Sequence, residues 1–450
     1  MNLSRHYQNA SFLTVFSKLF ALVCTAISFG LLVLGGPRYE EWGSVAFFIT
    51  VSSSALLVVL LRNNALLFII SFVIALTNWS AASANYLHEQ GRFDTMYAHS
   101  SYGMQGLLIL AAFTSLLVLL LPSKVFPYSV NRFRKGAKNK RYQSIFCTVI
   151  GIFLIIIFLT CSSGFARDGR GLNNSGFEYS YILFVAGLFI AGDNKFCRNL
   201  LIAIAFLFII QAVFFAGNRA AILGIVLLLV FLVYGKNLTW TRLIVPVFIL
   251  MFLLMAMGYY RNTDEFFLFK FFDAVEVTIR DLFVWDTASF SFIQSIAFIR
   301  LEQILPSEEH LYYLQQFFLS FILGGSKVPD SAISIVAQSW FPGMGGGILP
   351  FYGFFYFGWP GCALCSVIVA FWIRMINSIS ESISSFKMLV TYSVAFAVFR
   401  WYIYSPSPFT SGLLIATVVC FLTVVLTENL RDGKRSESNI NFSEQSTHTI

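Results

Sequence analysis

Uncharged apolar residues recur along this chain in windows of about 20 residues, from its first fifty residues to its last. A helix of that length crosses roughly 30 Å of hydrocarbon at 1.5 Å per residue. The pattern therefore predicts an all-α fold, a polytopic integral membrane bundle of about 12 transmembrane helices. The predicted spans are 12–35, 44–61, 65–84, 103–121, 143–161, 179–191, 199–216, 219–235, 242–259, 347–373, 387–404 and 409–427.

Composition supports the same class. Apolar residues make up 57% of the chain, aromatic residues 17% and charged residues only 12%, whereas a soluble domain is about 25% charged. A net charge of +8 could suit a nucleic-acid partner. The basic residues, however, lie in the short connections between the predicted spans, where membrane topology already requires them. No nucleic-acid partner is therefore predicted.

Alternate connections between the predicted spans are rich in basic residues. The positive-inside rule places such connections in the cytoplasm, so both termini are predicted to be cytoplasmic. The most basic connection, 122–142, contains Lys124, Arg132, Arg134, Lys135, Lys138, Lys140 and Arg141.

One predicted external connection, 261–346, is much longer than the others, and its acids outnumber its bases. Its apolar runs are punctuated by charge, which predicts amphipathic helices that lie on the membrane or fold back over the bundle as a helical lid. The chain then divides into nine spans in 1–260, the long loop, three spans in 347–430 and a disordered cytoplasmic tail in 431–450.

A short turn between two apolar segments, 217–221, reads GNRAA and places Arg219 at the start of a helix. A helix N-terminus offers unpaired N–H groups and about half a positive charge, so an added guanidinium favours phosphate binding. Asn218 is a further candidate for substrate binding. Alternatively, Arg219 only anchors the helix at the membrane interface.

The long connection supplies the next candidates. Arg280 and Arg300 could bind an anionic substrate, and Glu302 and His310 could exchange a proton with it. The simpler alternatives are a surface pair between Arg280 and Glu276, four residues apart, and a solvated histidine.

Arg400 lies inside the predicted span 387–404 near its external end, where it either faces a polar cavity as a second cation for a diphosphate or extends outward to the interface. The segment 351–361 reads FYGFFYFGWPG, an interfacial aromatic belt that could also stack on sugars. The glycines nearby lack the Lys-Ser or Lys-Thr ending of a nucleotide P-loop. The seven cysteines lie in or beside apolar windows, which predicts packing and no metal site.

Together, the turn 217–221 before an apolar helix, the long external loop and the segment 337–361 with Phe357, Gly358 and Gly361 resemble the Wzy-type O-antigen polymerases. Two features depart from related patterns. The paired loop arginine motifs of some members are not matched, and His310 is followed by Leu311, whereas O-antigen ligases carry a polar residue after the histidine.

The resemblance implies a bacterial inner-membrane glycosyltransferase of lipopolysaccharide biosynthesis, with its active face in the periplasm and no metal or cofactor. Its expected partners are an undecaprenyl diphosphate-linked oligosaccharide, the lipid bilayer, and a chain-length regulator and flippase of the same pathway. The enzyme would transfer a growing glycan from undecaprenyl diphosphate to a sugar hydroxyl of an incoming repeat unit.

In that reaction, cations would stabilise the departing diphosphate, with Arg219 first and Arg400 or Arg300 second. Glu302 or His310 would be the base, and Arg400, Arg280 and Asn218 would bind substrate. Two alternatives remain. One is an O-antigen ligase with the same donor, and the other is a flippase or transporter without chemistry, for which the sequence shows neither two comparable halves nor matching broken helices.

Overall fold

The structure is a computed structural model, and all statements on structure concern its described residues. These are 2–34, 39, 41–86, 101–127, 140–162, 175–212, 219–234, 239–249, 252, 271–281, 283–323, 327–341, 346–379 and 384–427. Within these ranges the secondary structure is helical and no strand occurs, which confirms the all-α prediction.

Seventeen α-helices can be bounded in these ranges. In the first half of the chain they are α1 (Asn2–Leu34), α2 (Gly43–Leu61), α3 (Ala65–Tyr86), α4 (Ser101–Leu120), α5 (Lys140–Cys161), α6 (Ser175–Ala191), α7 (Lys195–Ile210) and α8 (Arg219–Tyr234). In the second half they are α9 (Trp240–Ile249), α10 (Phe271–Arg280), α11 (Asp286–Ile304), α12 (Ser307–Leu323), α13 (Ile333–Trp340), α14 (Leu349–Asn377), α15 (Ser385–Phe396), α16 (Val398–Ile403) and α17 (Ser411–Thr427).

Six of these helices, α1 to α5 and α14, are long and apolar enough to cross a membrane. Shorter apolar stretches lie in α6, α9 and α17. The chain is therefore a helical membrane protein, and apolar helices of this kind indicate a lipid bilayer environment. The number of spans, predicted as about 12, and the sidedness of the long loop stay predictions.

Contacts divide the chain into two compact units. The first comprises 1–128, 239–378 and 398–411, with α1 to α4, α9 to α14 and α16. The second comprises 129–238, 379–397 and 412–450, with α5 to α8, α15 and α17. Each unit is assembled from segments that are distant in the sequence.

Helix α4 is the centre of the first unit. Its residues 103–115 are all buried, and it packs against α1, α2, α3, α11 and α14. A helix that is apolar all round has no face suited to water, so neighbours enclose it.

Basic side chains cap the C-terminal end of α4. Lys18 of α1 donates hydrogen bonds to the carbonyl oxygens of Val118 at 3.2 Å and Leu121 at 2.6 Å, and also to that of Leu119. Arg374 of α14 donates to the Leu120 oxygen at 2.9 Å. The last carbonyls of a helix lack intrahelical partners and carry the negative end of its dipole, so these cations stabilise that end.

Helix α14 is two antiparallel segments, 349–357 and 359–377, and not one continuous span. Gly358 turns the chain with φ 62° and ψ −148°, a conformation nearly restricted to glycine. The two segments then touch through Gly353 and Gly361, where a Cβ on either residue would clash with the carbonyl of the other. The Cys365 sulfur lies 3.7 Å from the Leu349 carbonyl oxygen. Residues 349 and 365 are each eight positions from residue 357, as expected for two segments that pair across a turn. The predicted span 347–373 is therefore wrong as a single helix.

The second segment of α14 runs alongside α4. Cys362 contacts the Ile109 oxygen at 3.5 Å, and Ser366 donates to the Phe113 oxygen at 3.0 Å. The first segment doubles back over this pair, so its start at Leu349 lies beside the middle of α4. The non-helical residues 346–348 before it are fully buried at that depth. Irregular backbone inside a membrane requires such enclosure by protein.

A second interruption occurs at Ala397, which separates α15 from α16. The predicted span 387–404 is therefore two helices in the structure, and whether it crosses the membrane stays a prediction. A buried hydrogen-bond network holds α16, because the Tyr402 hydroxyl donates to the Asn78 side-chain oxygen at 2.7 Å. The Asn78 amide in turn donates to Ser54 at 3.0 Å and Thr114 at 2.9 Å, which joins α16 to α2, α3 and α4.

Aromatic packing organises the second unit. Phe208 of α7 stacks on Phe177 at 4.6 Å and contacts Phe158 at 5.3 Å and Phe184 at 5.4 Å between ring centroids. These rings join α5, α6 and α7 around one centre. Burial of several aromatic side chains supplies a large part of the packing contact between helices.

Candidate functional site

Three of the predicted site residues lie near the junction of α11 and α12 in the first unit, where Glu302 and His310 contact each other. Arg300 and Glu302 lie in the last turns of α11, and His310 lies in the first turn of α12. Pro306 separates the two helices, and the His310 amide bonds its carbonyl at 3.2 Å. This short turn folds α12 back so that the His310 ring reaches the end of α11.

The Arg300 guanidinium lies over two aromatic rings. Its carbon is 4.2 Å from the Phe341 ring centroid and 5.6 Å from that of Tyr102 in the first turn of α4. Cation–π contact with two rings restrains the plane of the group. A guanidinium with a fixed plane is suited to bidentate binding of a carboxylate or phosphate.

Glu302 is a half-buried carboxyl with an unusual environment. Burial raises its pKa above the ordinary value, and the charge of His310 partly opposes this shift. Burial likewise raises the pKa of Tyr39, and the charge of Glu302 adds to that increase. A desolvated carboxyl beside two ionisable groups is a candidate proton acceptor, because its pKa moves toward neutral pH.

Two contacts hold the His310 ring. Its Nε2 lies 3.1 Å from the backbone oxygen of Glu302, and the ring stacks on Phe355 of α14 with centroids 5.1 Å apart and an interplanar angle of 22°. The imidazole is therefore positioned by α11 on one side and by the first segment of α14 on the other.

Below these residues lies a buried polar junction between the two interrupted helices. The Tyr352 hydroxyl donates to the Tyr404 carbonyl oxygen at 2.7 Å and accepts from the Gly347 amide at 3.1 Å. The Tyr352 ring packs on Phe298 at 4.9 Å, one turn before Glu302 on α11. The Tyr404 amide donates to the Arg400 carbonyl oxygen at 3.0 Å, so Arg400 lies one helical turn before this junction.

Arg400 was predicted in a continuous helix, and its actual place is the short helix α16 that follows the interruption at Ala397. Arg280 was predicted either as a substrate ligand or as a partner of Glu276. Its exposed guanidinium instead forms an ion pair at 3.2 Å with the adjacent Asp281, at the end of α10.

Arg219 begins α8 in the second unit, as predicted for a helix N-terminus. Its side chain and Asn218 lie outside the described residues, so the predicted phosphate site at this turn is not tested. Among the described residues, no group of three His, Cys, Asp or Glu side chains is arranged to hold a metal ion.

Sequence reasoning missed three residues of this site. Tyr39 lies between the first two helices, Tyr102 begins α4, and Phe341 follows α13. The aromatic segments near 341 gave a weak signal, but Tyr102 is about 200 residues from Arg300, and Tyr39 is still further from Glu302, so each approaches its partner only through the fold. Comparisons with family models, curated proteins and solved structures found no match for this chain.

Proposed function

We propose that the chain is an O-antigen or polysaccharide repeat-unit polymerase of the bacterial inner membrane. The supporting observation is the contact of the half-buried Glu302 with His310 at the junction of α11 and α12, with the restrained Arg300 guanidinium two residues earlier on α11. This group combines a restrained cation with a desolvated carboxyl. It suits a reaction in which an anionic group leaves while a hydroxyl loses its proton.

The reaction forms one C–O bond and breaks another. The hydroxyl oxygen of an incoming repeat unit attacks the anomeric carbon of the growing glycan, and the bond from that carbon to the undecaprenyl diphosphate breaks. Glu302 takes the hydroxyl proton. Arg300 stabilises the charge that develops on the diphosphate, since a fixed cation in a site of low dielectric favours the transition state over the ground state.

The other predicted residues take subordinate roles in this proposal, including Arg219, which the resemblance placed first among the cations. Arg400 would act from the buried junction as a second cation, and Arg219 would bind phosphate at the start of α8 with Asn218 beside it. Arg280 would bind substrate only if it exchanges Asp281 for the ligand. The site would face the periplasm, both termini the cytoplasm, and the partners would be lipid-linked oligosaccharide, a chain-length regulator and a flippase.

Purified full-length chain in lipid vesicles, supplied with undecaprenyl diphosphate-linked oligosaccharide, should lengthen the glycan. Mass spectrometry and gels would read the product ladder. Substitution of Arg300 by Lys keeps the charge but removes the planar group, so it should lower the rate by roughly 10²-fold or more if bidentate binding is its role. Glu308→Gln changes an exposed acid of the same loop and serves as the matched control.

A normal ladder from the Arg300→Lys variant would remove Arg300 from the proposal. If the wild-type protein makes no product ladder but still couples the glycan to a lipid core, the O-antigen ligase would be favoured. In cells, deletion of a polymerase gene should leave a single repeat unit on the lipopolysaccharide core.

A transporter of lipid-linked glycan is the second candidate, because the structure contains two interrupted helices, and α14 contacts the end of α16 through Tyr352 and Tyr404. Transporters often bind substrate where discontinuous helices expose backbone near mid-membrane. Both interruptions lie after residue 346, whereas α1 to α4 are uninterrupted within the described part of the first half. Movement of labelled glycan lipid across the vesicle membrane without lengthening would establish this alternative.

A further inference from the structure

Helix α12 has an outward face that changes character along its length. In its N-terminal half this face mixes polar and apolar side chains, because Glu308, Glu309 and Gln315 are exposed together with Leu311 and Tyr312. In its C-terminal half the exposed side chains are apolar and large: Phe318 is 51% exposed, Leu319 45%, Ile322 82% and Leu323 51%.

The opposite face of α12 packs on the first segment of α14. Phe317 stacks on Tyr356 with centroids 4.7 Å apart, and His310 stacks on Phe355 at 5.1 Å. His310 and Phe317 are about 10 Å apart along their helix at 1.5 Å per residue, yet both contact adjacent residues of α14. Helix α12 therefore runs across α14 and not along it.

The position of this crossing is near one end of the spanning helices. Tyr356 is two residues from the turn at Gly358, and the turn itself exposes Phe357 by 41% and Trp359 by 48%. Exposed aromatic side chains at the end of a membrane span are typical of the boundary between hydrocarbon and headgroups.

We propose that the C-terminal half of α12 is embedded in the lipid bilayer at this boundary, with phospholipid acyl chains against Phe318, Leu319 and Ile322. A helix that crosses the spans at interfacial depth lies roughly in the membrane plane, and its apolar end is the part that enters the hydrocarbon. The exposed Lys327 just beyond the helix is placed to meet lipid phosphates.

The long loop then contains two kinds of helix. Helix α11 folds back over the bundle, since Ala288, Ile296, Ile299 and Leu301 along its length are completely buried. Helix α12 instead connects the bilayer to the site, because the same helix carries His310 in its first turn and Ile322 in its last. This inference does not depend on which reaction the site performs.

The test uses two variants of the full chain in lipid nanodiscs, Ile322→Cys and Gln315→Cys, each carrying a nitroxide spin label. Both positions are exposed on the same face, and the unsubstituted chain corrects for labelling of native cysteines. Collision rates with oxygen, which concentrates in lipid, and with a water-soluble nickel chelate report the surroundings of each label.

The expected result is a high ratio of oxygen to nickel collisions at 322 and a low ratio at 315. Equal access of the nickel chelate to both labels would show that the apolar face is in water and would overturn the proposal. Protection of label 322 from both reagents would show that protein covers the face, either a second copy or another partner, and would overturn it equally.

Discussion

At the scale of single residues, the candidate site depends on what burial does to Glu302. The carboxyl is partly removed from water, which raises its pKa, and the charge of His310 opposes that shift. Desolvation destabilises the charged form, so the residue is unfavourable for folding at neutral pH and suited to accepting a proton. A lower stability together with a suitable pKa is typical of residues that serve function and not folding.

Substitution of Glu302 by Gln should reduce glycan transfer by about 10²-fold to 10⁴-fold, the usual contribution of a general base. The same substitution should increase the stability of the fold at neutral pH, although it lowers activity. The folded chain holds the Glu302 proton more tightly than the unfolded chain. The contribution of Glu302 to wild-type stability is therefore largest below the ordinary pKa of 4.5 and is lost as pH rises through the folded pKa. The Gln variant lacks this loss.

Thermal unfolding of both proteins in detergent, followed by tryptophan fluorescence from pH 4 to pH 8, would measure the difference. The midpoints should be similar at the acidic end and should diverge in favour of the variant as pH rises. Glu308→Gln, at an exposed acid, should follow the wild type throughout. Lower stability of Glu302→Gln at pH 8 would contradict the assigned desolvation.

At the scale of elements, the sequence predicts helices well where they are continuous. The predicted spans 44–61 and 65–84 correspond to α2 (Gly43–Leu61) and α3 (Ala65–Tyr86). It fails at α14, because hydropathy has the same value whether a segment continues or doubles back. Contacts between the two segments, such as that of Gly353 with Gly361, distinguish the two cases. The break at Ala397 lacks even a glycine or proline as a signal.

Substitution of Gly361 by Ala tests the reversal of α14. The new Cβ would clash with the Gly353 backbone, which cannot move aside as a flexible side chain can. Overpacking of this kind costs about 1–3 kcal/mol, so the unfolding midpoint of a chain of this length should fall by about 1–3 °C. Gly30→Ala in α1 is the control, since nothing lies within 4 Å of its added Cβ. Equal midpoints for the two variants would indicate that α14 is not reversed.

The candidate site likewise combines a contact that the sequence predicts with contacts that only the fold produces. The short turn at Pro306 brings Glu302 and His310 together, and sequence proximity alone anticipates it. The rings over Arg300 come from Tyr102 and Phe341, which are far apart in the chain. Their convergence requires α4, α11 and α13 to be assembled first. Patterns of polarity carry no information on that assembly.

At the scale of the whole molecule, sidedness is the prediction with most consequences. The cations on the end of α4, Lys18 and Arg374, belong to the part that the positive-inside rule assigns to the cytoplasm. The site at Glu302 and His310 lies toward the opposite end of α4, where the Gln303 amide donates to Gln105 at 3.4 Å.

Two single-cysteine reporters at exposed positions would test this arrangement, Glu308→Cys near the site and Ser378→Cys just after Arg374. A membrane-impermeant thiol reagent applied to intact spheroplasts should label the first variant and leave the second unlabelled. After permeabilisation both should react. Labelling of Ser378→Cys in intact cells would reverse the predicted orientation, and labelling of both would contradict the two-sided assignment.

The contact between Tyr352 and the Tyr404 carbonyl also constrains the order in which the protein can be made. Residue 404 leaves the ribosome about fifty residues after residue 352, which takes several seconds at 5–20 residues per second. During that interval the first segment of α14 lacks the backbone that later encloses its buried start. The enclosure of this segment is therefore completed only after α16 has been synthesised.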